Sequence, residues 1–484
     1  MKKIACKLAI IQSILLLFLS LSFAAATPAV DVTSPAYWHT QAMNDLIPFW
    51  GKTIDKENGG FFTDVEEDGT VSAASNKYTR MQSRIVYGFC AAYMLSGDDT
   101  YLALAKHGMD YMAEYCADKT YGGWHTTLDE LNEPDNGSKN LFDETYGSLG
   151  PIFYYTVTRD KTALSLVSKT HAQMQAKAWD RENGGYYAYV SYNWGPATTS
   201  KSFNSQIDTF TAYLLYYYMA TKDPAILSDI RQLADAVITH MVDSKTGFVG
   251  ESFSSNWTWT DMNLWAGHNL KTGWVLTRVY NLTGDKKYLD AANIIAKAQM
   301  KYMWDAKFGG WFFRFMADDP KNIDDLKDWW TQEEGNMLML SMYNNTGGKE
   351  YLEKFRKSAQ FWDKHFIDRK YGECYQSTLR DGSPMNRKKA DMYKSAYHTM
   401  EQALFSYLYL SLYVYKTDAT LYFSPGADTA GEKMYVNLLE DKSVIITGVE
   451  IDGKTWTDFN AEEGSIALPA GAKMKVRVVY GVKK

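Results

Sequence analysis

The chain has 484 residues, 46% of them hydrophobic and 22% charged, with 34 Gly and only 11 Pro, a composition that excludes disordered tails and collagen-like repeats. Its 51 Lys and Arg against 57 Asp and Glu give a net charge of -6, which argues against nucleic acid as a partner.

The N-terminal segment reads as a targeting signal. Lys2, Lys3 and Lys7 precede an apolar run from Leu8 to Phe23 that ends in Ala24-Ala25-Ala26. Residues 1–26 are therefore expected to be a cleaved signal peptide, and the mature protein secreted or periplasmic. Cleavage leaves 48 basic residues against 57 acidic ones, a mature charge of -9. No later run is apolar enough to span a bilayer, so no stable membrane insertion is expected afterwards. Cys90, Cys116 and Cys374 remain, an odd number at wide spacing with no paired Cys/His pattern, which points to packing and not to disulfides or zinc.

Tyr37 to Lys52 reads as a lone helix, and after it a repeat begins. Asp55, Asp118, Asp180, Asp243, Asp305 and Asp368 each stand four residues before a glycine, at separations of 63, 62, 63, 62 and 63 residues. Such a period marks one supersecondary unit used six times. Gly97-Asp98, Arg159-Asp160, Lys222-Asp223, Gly284-Asp285 and Gly347-Gly348 interleave at the same period, cutting each unit into two helix-length pieces with three- and four-residue apolar spacing. The fold expected is all-α: six helical hairpins closed into an (α/α)6 toroid, with Tyr37 to Lys52 completing the ring. Closure is preferred to an open solenoid because the terminal copies are as apolar as the middle ones. After about residue 420 the texture changes to short alternating segments, a small β module expected to brace the barrel. The expected organisation is signal peptide 1–26, barrel 27–420 and β module 421–484.

In a closed ring the long glycine links gather at one end and line a funnel. Residues 19 to 26 positions after each glycine turn then share one height on the inner helices. They include Arg84, Asp143, Glu144, Asn204, Asp208, His268, Trp330, Glu334 and His398, more ionisable groups than a structural centre needs. Trp124, Tyr186 and Trp311 follow the glycines and are candidates, with Trp330, for stacking on a bound ligand. His125 is a further candidate ligand contact; His39, His107, His171, His240 and His365 read as core residues.

Lys77 to Phe89 (KYTRMQSRIVYGF), Gly267 to Leu276 (GHNLKTGWVL), Lys327 to Glu334 (KDWWTQEE) and Tyr393 to His398 (YKSAYH) together resemble the N-acylglucosamine 2-epimerase and cellobiose 2-epimerase family over residues 35 to 420. The resemblance implies an (α/α)6 barrel, Arg84 as the substrate-orienting arginine, His268 and His398 as acid/base catalysts, and Trp330 and Glu334 as sugar contacts. Asn204 matches the family, and Asp143, Asp208, Lys271 and Trp124 complete the expected substrate contacts. Three positions depart from the pattern: Asp208 for a histidine, Lys271 for a glutamate and Glu401 for an arginine. Because the last two reverse charge in opposite senses, they are expected to interact directly or through water.

Epimerising an aldose at C2 needs a base of near-neutral pKa, a cation for the enediolate and an acid to return the proton, roles suited to imidazole and guanidinium. No metal or cofactor is demanded. The expected function is an exported sugar 2-epimerase or aldose–ketose isomerase acting on a mono- or oligosaccharide with a free reducing end. Two alternatives stand beside it: a glycoside hydrolase or polysaccharide lyase on the same toroid, using Asp143, Glu144, Asp208 and Glu334, and a non-catalytic carbohydrate-binding protein. The oligomeric state is left open.

Overall fold

The repeated aspartate is a folding device. In Asp55, Asp118, Asp180, Asp305 and Asp368, Oδ1 accepts the backbone N–H groups two and three residues on, closing a turn. The glycine pair that follows runs at positive φ, as at Gly59 (80°) and Gly60 (67°), where a side chain is strained. The second carboxylate oxygen takes a buried lysine just before the inner helix, Lys77 at 2.7 Å, Lys139 at 2.8 Å, Lys201 at 2.6 Å and Lys327 at 3.0 Å, and in repeat six Lys389 at 2.8 Å, which lies earlier in the link, ahead of the helix that starts at Ala396. Repeat four has Leu264 at this place, packed with Phe248, Met303 and Phe315.

Five residues beyond the lysine, a side-chain amide caps the link. Gln82, Gln206 and Gln332 accept the N–H of Phe61, Tyr186 and Trp311 and return a hydrogen bond to the carbonyl of the same residue. Asn269 serves Val249 in this way, and Glu144 accepts the Trp124 N–H with both oxygens. Repeat six inverts the device: Glu373 stands at the second glycine's place with φ 62°, and its carboxylate binds Lys394 and Thr399 Oγ1, both at 2.6 Å.

The second sequence mark is a left-handed cap followed by a new helix start. Gly97, Arg159, Lys222, Gly284 and Gly347 lie at φ 57–74°, and Asp98, Asp160, Asp223 and Asp285 then accept a backbone N–H from the next helix's first turn. The inner helices are Thr79–Ser96, Leu141–Gly147 with Leu149–Thr158, Leu215–Thr221 with the segments before it, Ala266–Thr283, Trp329–Thr346 and Ala396–Tyr409. The third enters as wide i→i+5 turns over Asn204–Asp208 and Phe210–Leu214, a winding that recurs at functional sites.

The sixth inner helix packs on both the fifth and the first, so the ring closes. At the closure a Cβ on Gly88 would stand 2.6 Å from that of Ala396. The outer partner of the sixth inner helix is the N-terminal segment Pro35–Gln41, Ala42–Leu46 and Ile47–Trp50. Tyr37 OH donates to Asp363 of the fifth outer helix at 2.8 Å. The architecture is the expected (α/α)6 toroid with a C-terminal β module. The computed structural model describes residues 30–484 except 73, 74, 136, 430, 471–473 and 484; the expected signal peptide lies outside them. Among the described residues no helix is long and apolar enough to cross a membrane.

The β module begins at Ala419–Phe423, two residues inside the span expected for the barrel. That strand pairs antiparallel with Val476–Val482, which pairs in turn with Val444–Ile451. Lys433–Tyr435, Ser465–Ala467 and Phe459–Asn460 form a second sheet. The module covers the end of the barrel that carries the short turns: Lys475 Nζ donates to Gly97 O, and Ser424 N to Val157 O. Its Glu440 takes Arg278 of the fourth inner helix in a buried two-pronged bridge, 2.7 Å at its shortest. Val32–Lys484, barrel and module together, form one compact unit. Cys90, Cys116 and Cys374 are buried free thiols, raised by burial, Cys116 to about 12.

Glu144 stands where three other repeats use glutamine, and burial pushes its carboxyl up to about 8 against the pull of Lys139. A raised carboxyl gives its full stability below the unfolded value of about 4.3 and loses it as pH rises towards 8. Glu144→Gln should remove that slope, at most about 1.4 kcal/mol per pH unit, and leave the variant more stable at pH 8 than the parent. Urea unfolding at pH 5 and pH 8 measures the difference.

Candidate active site

The link end of the barrel opens into a cavity of about 470 Å³ lined by the first turns of all six inner helices and the links above them. Arg84, Asn204, Asp208, His268, Lys271, Trp330 and His398 line it, as the sequence predicts. Tyr146, Glu251, Trp265, Phe313, Asp328, Trp329 and Tyr393 join them.

Both histidines are held through Nδ1 by a glutamate. His268 Nδ1 lies 2.6 Å from Glu251 Oε2, whose other oxygen accepts the Trp265 N–H, and the ring is stacked between Phe203 at 3.8 Å and Trp265 at 5.4 Å. The proton of neutral His268 thus faces the carboxylate and leaves a lone pair on Nε2. His398 Nδ1 lies 2.8 Å from Glu333 Oε2. Burial, reinforced by Lys271 and Arg84, holds the His398 imidazole well below its ordinary value. Burial, with Glu334 and Glu401, holds the Glu333 carboxyl well above its own. A neutral carboxyl donating to Nδ1 puts the ring proton of His398 on Nε2. Trp330 separates the two imidazoles, with ring centroids 5.1 Å from His268 and 6.3 Å from His398.

Arg84 lies 3.8 Å over the Tyr146 ring and donates Nη1 to Tyr393 O at 2.9 Å, while its buried Nε has no hydrogen-bond partner. Lys271 organises the floor: its Nζ is 2.8 Å from Asp208 Oδ1, 3.1 Å from Glu334 Oε1 and 3.0 Å from Tyr146 OH. Burial opposes the lysine charge, but Asp208, Glu334 and Tyr146 outweigh it and raise Lys271 well above its ordinary value. Burial likewise opposes ionised Asp208, yet Lys271, His268 and Asn204 hold it below the usual carboxylate range. Burial prevails at Glu334, pushed up to about 8, and at Asp328 in the cavity wall, pushed up to about 7.

Several expected contacts lie elsewhere. Trp124 is 1% exposed in the core, its indole N–H on Ser148 Oγ, because the residue after each glycine pair is drawn inward by the link's cap. Tyr186 and Trp311 are buried for the same reason. Asp143 is sequestered by Arg80, and Glu144 by the Trp124 backbone, so neither carboxylate reaches the cavity. Glu334 lies just beneath the lining, bound to Lys271. His125 stands outside the lining, near Tyr192.

The expected pairing of Lys271 with Glu401 is replaced by another. Lys271, on the fourth inner helix, reaches its ring neighbours on the third and fifth, whereas Glu401 Oε1 accepts Tyr216 OH at 3.0 Å. The departures at 208 and 271 therefore form a single salt bridge.

The N-acylglucosamine 2-epimerase (GlcNAc 2-epimerase) family model matches residues 60–402. The chain belongs to that family. Among the relatives of this epimerase-family chain, the cellobiose 2-epimerase of Ruminococcus albus is 24% identical over 370 residues, covering 73% of this chain and 93% of that protein. The D-mannose isomerase of Marinomonas mediterranea is 24% identical over 394 residues, covering 77% and 96%. The solved cellobiose 2-epimerase of Spirochaeta thermophila superposes with a TM-score of 0.73 at 22% identity, covering 78% of this chain and 96% of that one.

Sequence reasoning missed Tyr146, Glu251, Glu333 and Asp328. Glu333 carried a signal, an acidic doublet with Glu334 inside an otherwise uncharged helix. Glu251 carried none: it lies in a link 17 residues before His268.

Lys271→Met should destabilise the fold by about 3 kcal/mol by stranding buried Asp208. Adding Asp208→Asn should recover most of the loss, because the uncompensated charge goes with it. Urea unfolding midpoints of the two variants provide the comparison.

Proposed function

We propose that this family member interconverts reducing mono- or disaccharides at C2, with His268 and His398 exchanging protons at opposite faces of the open-chain sugar. The observation that carries the reading is the presence of both imidazoles in one cavity lining, each fixed through Nδ1 by its own glutamate. His268, with its lone pair at Nε2, takes the C2 proton. The electron pair of the broken C–H bond forms the enediolate C1–C2 double bond, and the carbonyl oxygen becomes an oxyanion. Arg84, whose side chain lines the cavity, offsets that developing charge. His398 delivers its Nε2 proton to the other face of C2 while the Glu333 carboxyl passes its proton to Nδ1, the carbonyl re-forms, and the configuration is inverted. The reverse direction exchanges the two roles.

Two polarised rings favour epimerisation over aldose–ketose isomerisation, which needs only one shuttling base. Trp265 and Trp330 supply apolar faces for the sugar, and the volume suits one or two hexose units. The charged then apolar N-terminal stretch supports action outside the cytoplasm.

In heavy water, turnover should place deuterium at C2 of the epimer. His268→Asn and His398→Asn should each lower kcat by roughly a hundred- to ten-thousand-fold with an unchanged circular-dichroism spectrum. Absence of exchange into any reducing sugar, together with release of new reducing ends from an oligosaccharide, would transfer the protein to the glycosidases.

A further inference from the structure

Where each of five links enters its inner helix, a buried residue is followed by a half-buried one. The pairs are Lys77-Tyr78, Lys139-Asn140, Lys201-Ser202, Leu264-Trp265 and Lys327-Asp328, each within a short strand. Successive side chains on a strand point to opposite faces. A first member held inside the link therefore turns the second away from it, and Ser202, Trp265 and Asp328 line the cavity. Ser202 Oγ donates to Ser205 Oγ at 3.2 Å, and Trp265 stacks on His268. Asp328 is the one charged residue among the five second members. It stands at the cap position of its helix, yet its carboxylate caps no backbone N–H there.

Charge around it is unevenly shared. Facing the carboxyl are the Trp330 indole from its own helix, Arg314 and Asp324 from the other strands of its link, and Asp391 from the sixth link. Arg314 is bridged to Asp324 at 3.0 Å, and Asp391 accepts Gln376 Nε2 at 2.9 Å. Asp261 joins Asp328 in the lining from the fourth link. The other acids of the lining are spent, Glu251 on His268 and Asp208 on Lys271. Lys271 is itself spent on Asp208 and Glu334, and the mechanism above commits Arg84 to the enediolate oxygen. A second negative charge on a bound sugar thus meets acids and no free lysine or arginine in the lining.

We propose that Asp328 sets the charge specificity of the cavity: it accepts hydroxyl hydrogen bonds from an uncharged sugar and turns away sugar acids, uronates and sugar phosphates alike. This role rests on the reading of the cavity as a sugar site and narrows its substrate class. Burial, with Asp324 and Asp391 and against Trp330 and Arg314, pushes the carboxyl up to about 7. Below that pH the group is neutral and tolerates an anion; above it the group is ionised and repels one. Exclusion of sugar acids therefore strengthens as pH rises through about 7.

The test is equilibrium binding to the full chain, followed by tryptophan fluorescence. Cellobiose and D-mannose serve as neutral probes, cellobiouronate and D-mannuronate as their acids, which are ionised throughout the range used. At pH 8 only about a tenth of the Asp328 carboxyls are neutral, so each acid should bind about tenfold more weakly than its neutral counterpart, and near parity should return at pH 6. Asp328→Asn should show near parity at both pH values, and Asp328→Glu should keep the pH dependence of the parent. A merely structural role would weaken both members of a pair together and leave their ratio unmoved. The same ratio at pH 6 and pH 8 in the parent, the same ratio in parent and Asp328→Asn at pH 8, or no binding of either neutral probe would overturn the proposal. The parent's pH dependence decides the matter should the Asn variant not fold. Binding asks nothing of turnover: the expected ratios without deuterium uptake would remove the epimerase chemistry and support the charge filter, whereas deuterium uptake with equal binding at pH 8 would overturn the filter alone.

Discussion

The buried bridge between the aspartate that opens each glycine link and the lysine that begins the next inner helix is the interaction on which this molecule rests. It fixes two things at once, the path of a link without regular structure and the height at which the helix starts. With four of six repeats tied in this way, and a fifth through Lys389 earlier in its link, the first turns of the inner helices are presented at one level around the axis. The side chains on the tied turns inherit their positions from the bridge, Arg84 and Trp330 among them, while His268 follows the apolar contact of Leu264. A buried ion pair of this kind adds little net stability over an apolar pair, as Leu264 in repeat four illustrates, but it admits one geometry where an apolar contact admits several.

The floor of the cavity shows the other side of burying charge. Lys271 balances Asp208 and leaves Glu333, Glu334 and Glu401 to be balanced otherwise, and the cost of ionising them is what separates the two histidines in character. His268 rests on Glu251, which belongs to a link at the cavity's edge. His398 rests on Glu333, inside the barrel among other acids. Two identical side chains thereby face the same space from different electrostatic surroundings.

The ring itself was legible in the sequence, because a 62- to 63-residue period needs no knowledge of contacts. Residue height on the inner helices was legible too, and it placed Arg84, Asn204, Asp208, His268, Lys271, Trp330 and His398 in the cavity lining. Height does not give direction around the helix axis. Asp143 has a suitable height yet turns to Arg80, and Trp124 is pulled inward by the same cap that the other repeats use. Pairing across helices was illegible for a related reason: Lys271 and Glu401 look complementary in the linear chain, but the ring puts Asp208 and Glu334 beside the lysine and Tyr216 beside the glutamate. The alternating texture after residue 420 announced strands without saying where they dock, and it took Arg278 and Glu440 to show the module seated on the barrel's turn end.

The way the ring closes also constrains how the chain reaches its fold. The first helix is an outer strut of the last hairpin, and its Tyr37 bonds to a residue 326 positions later. At a translation rate of about 5–20 residues per second, that helix waits roughly 15–65 s for its partner to be made. Five hairpins can assemble in order on their local contacts while Trp38, Leu46 and Trp50, all 0% exposed in the closed ring, lack the sixth inner helix on which their segment chiefly packs. The apolar face of that segment is thus the part of the nascent chain most in need of shelter, and ring closure is the late, long-range step of assembly.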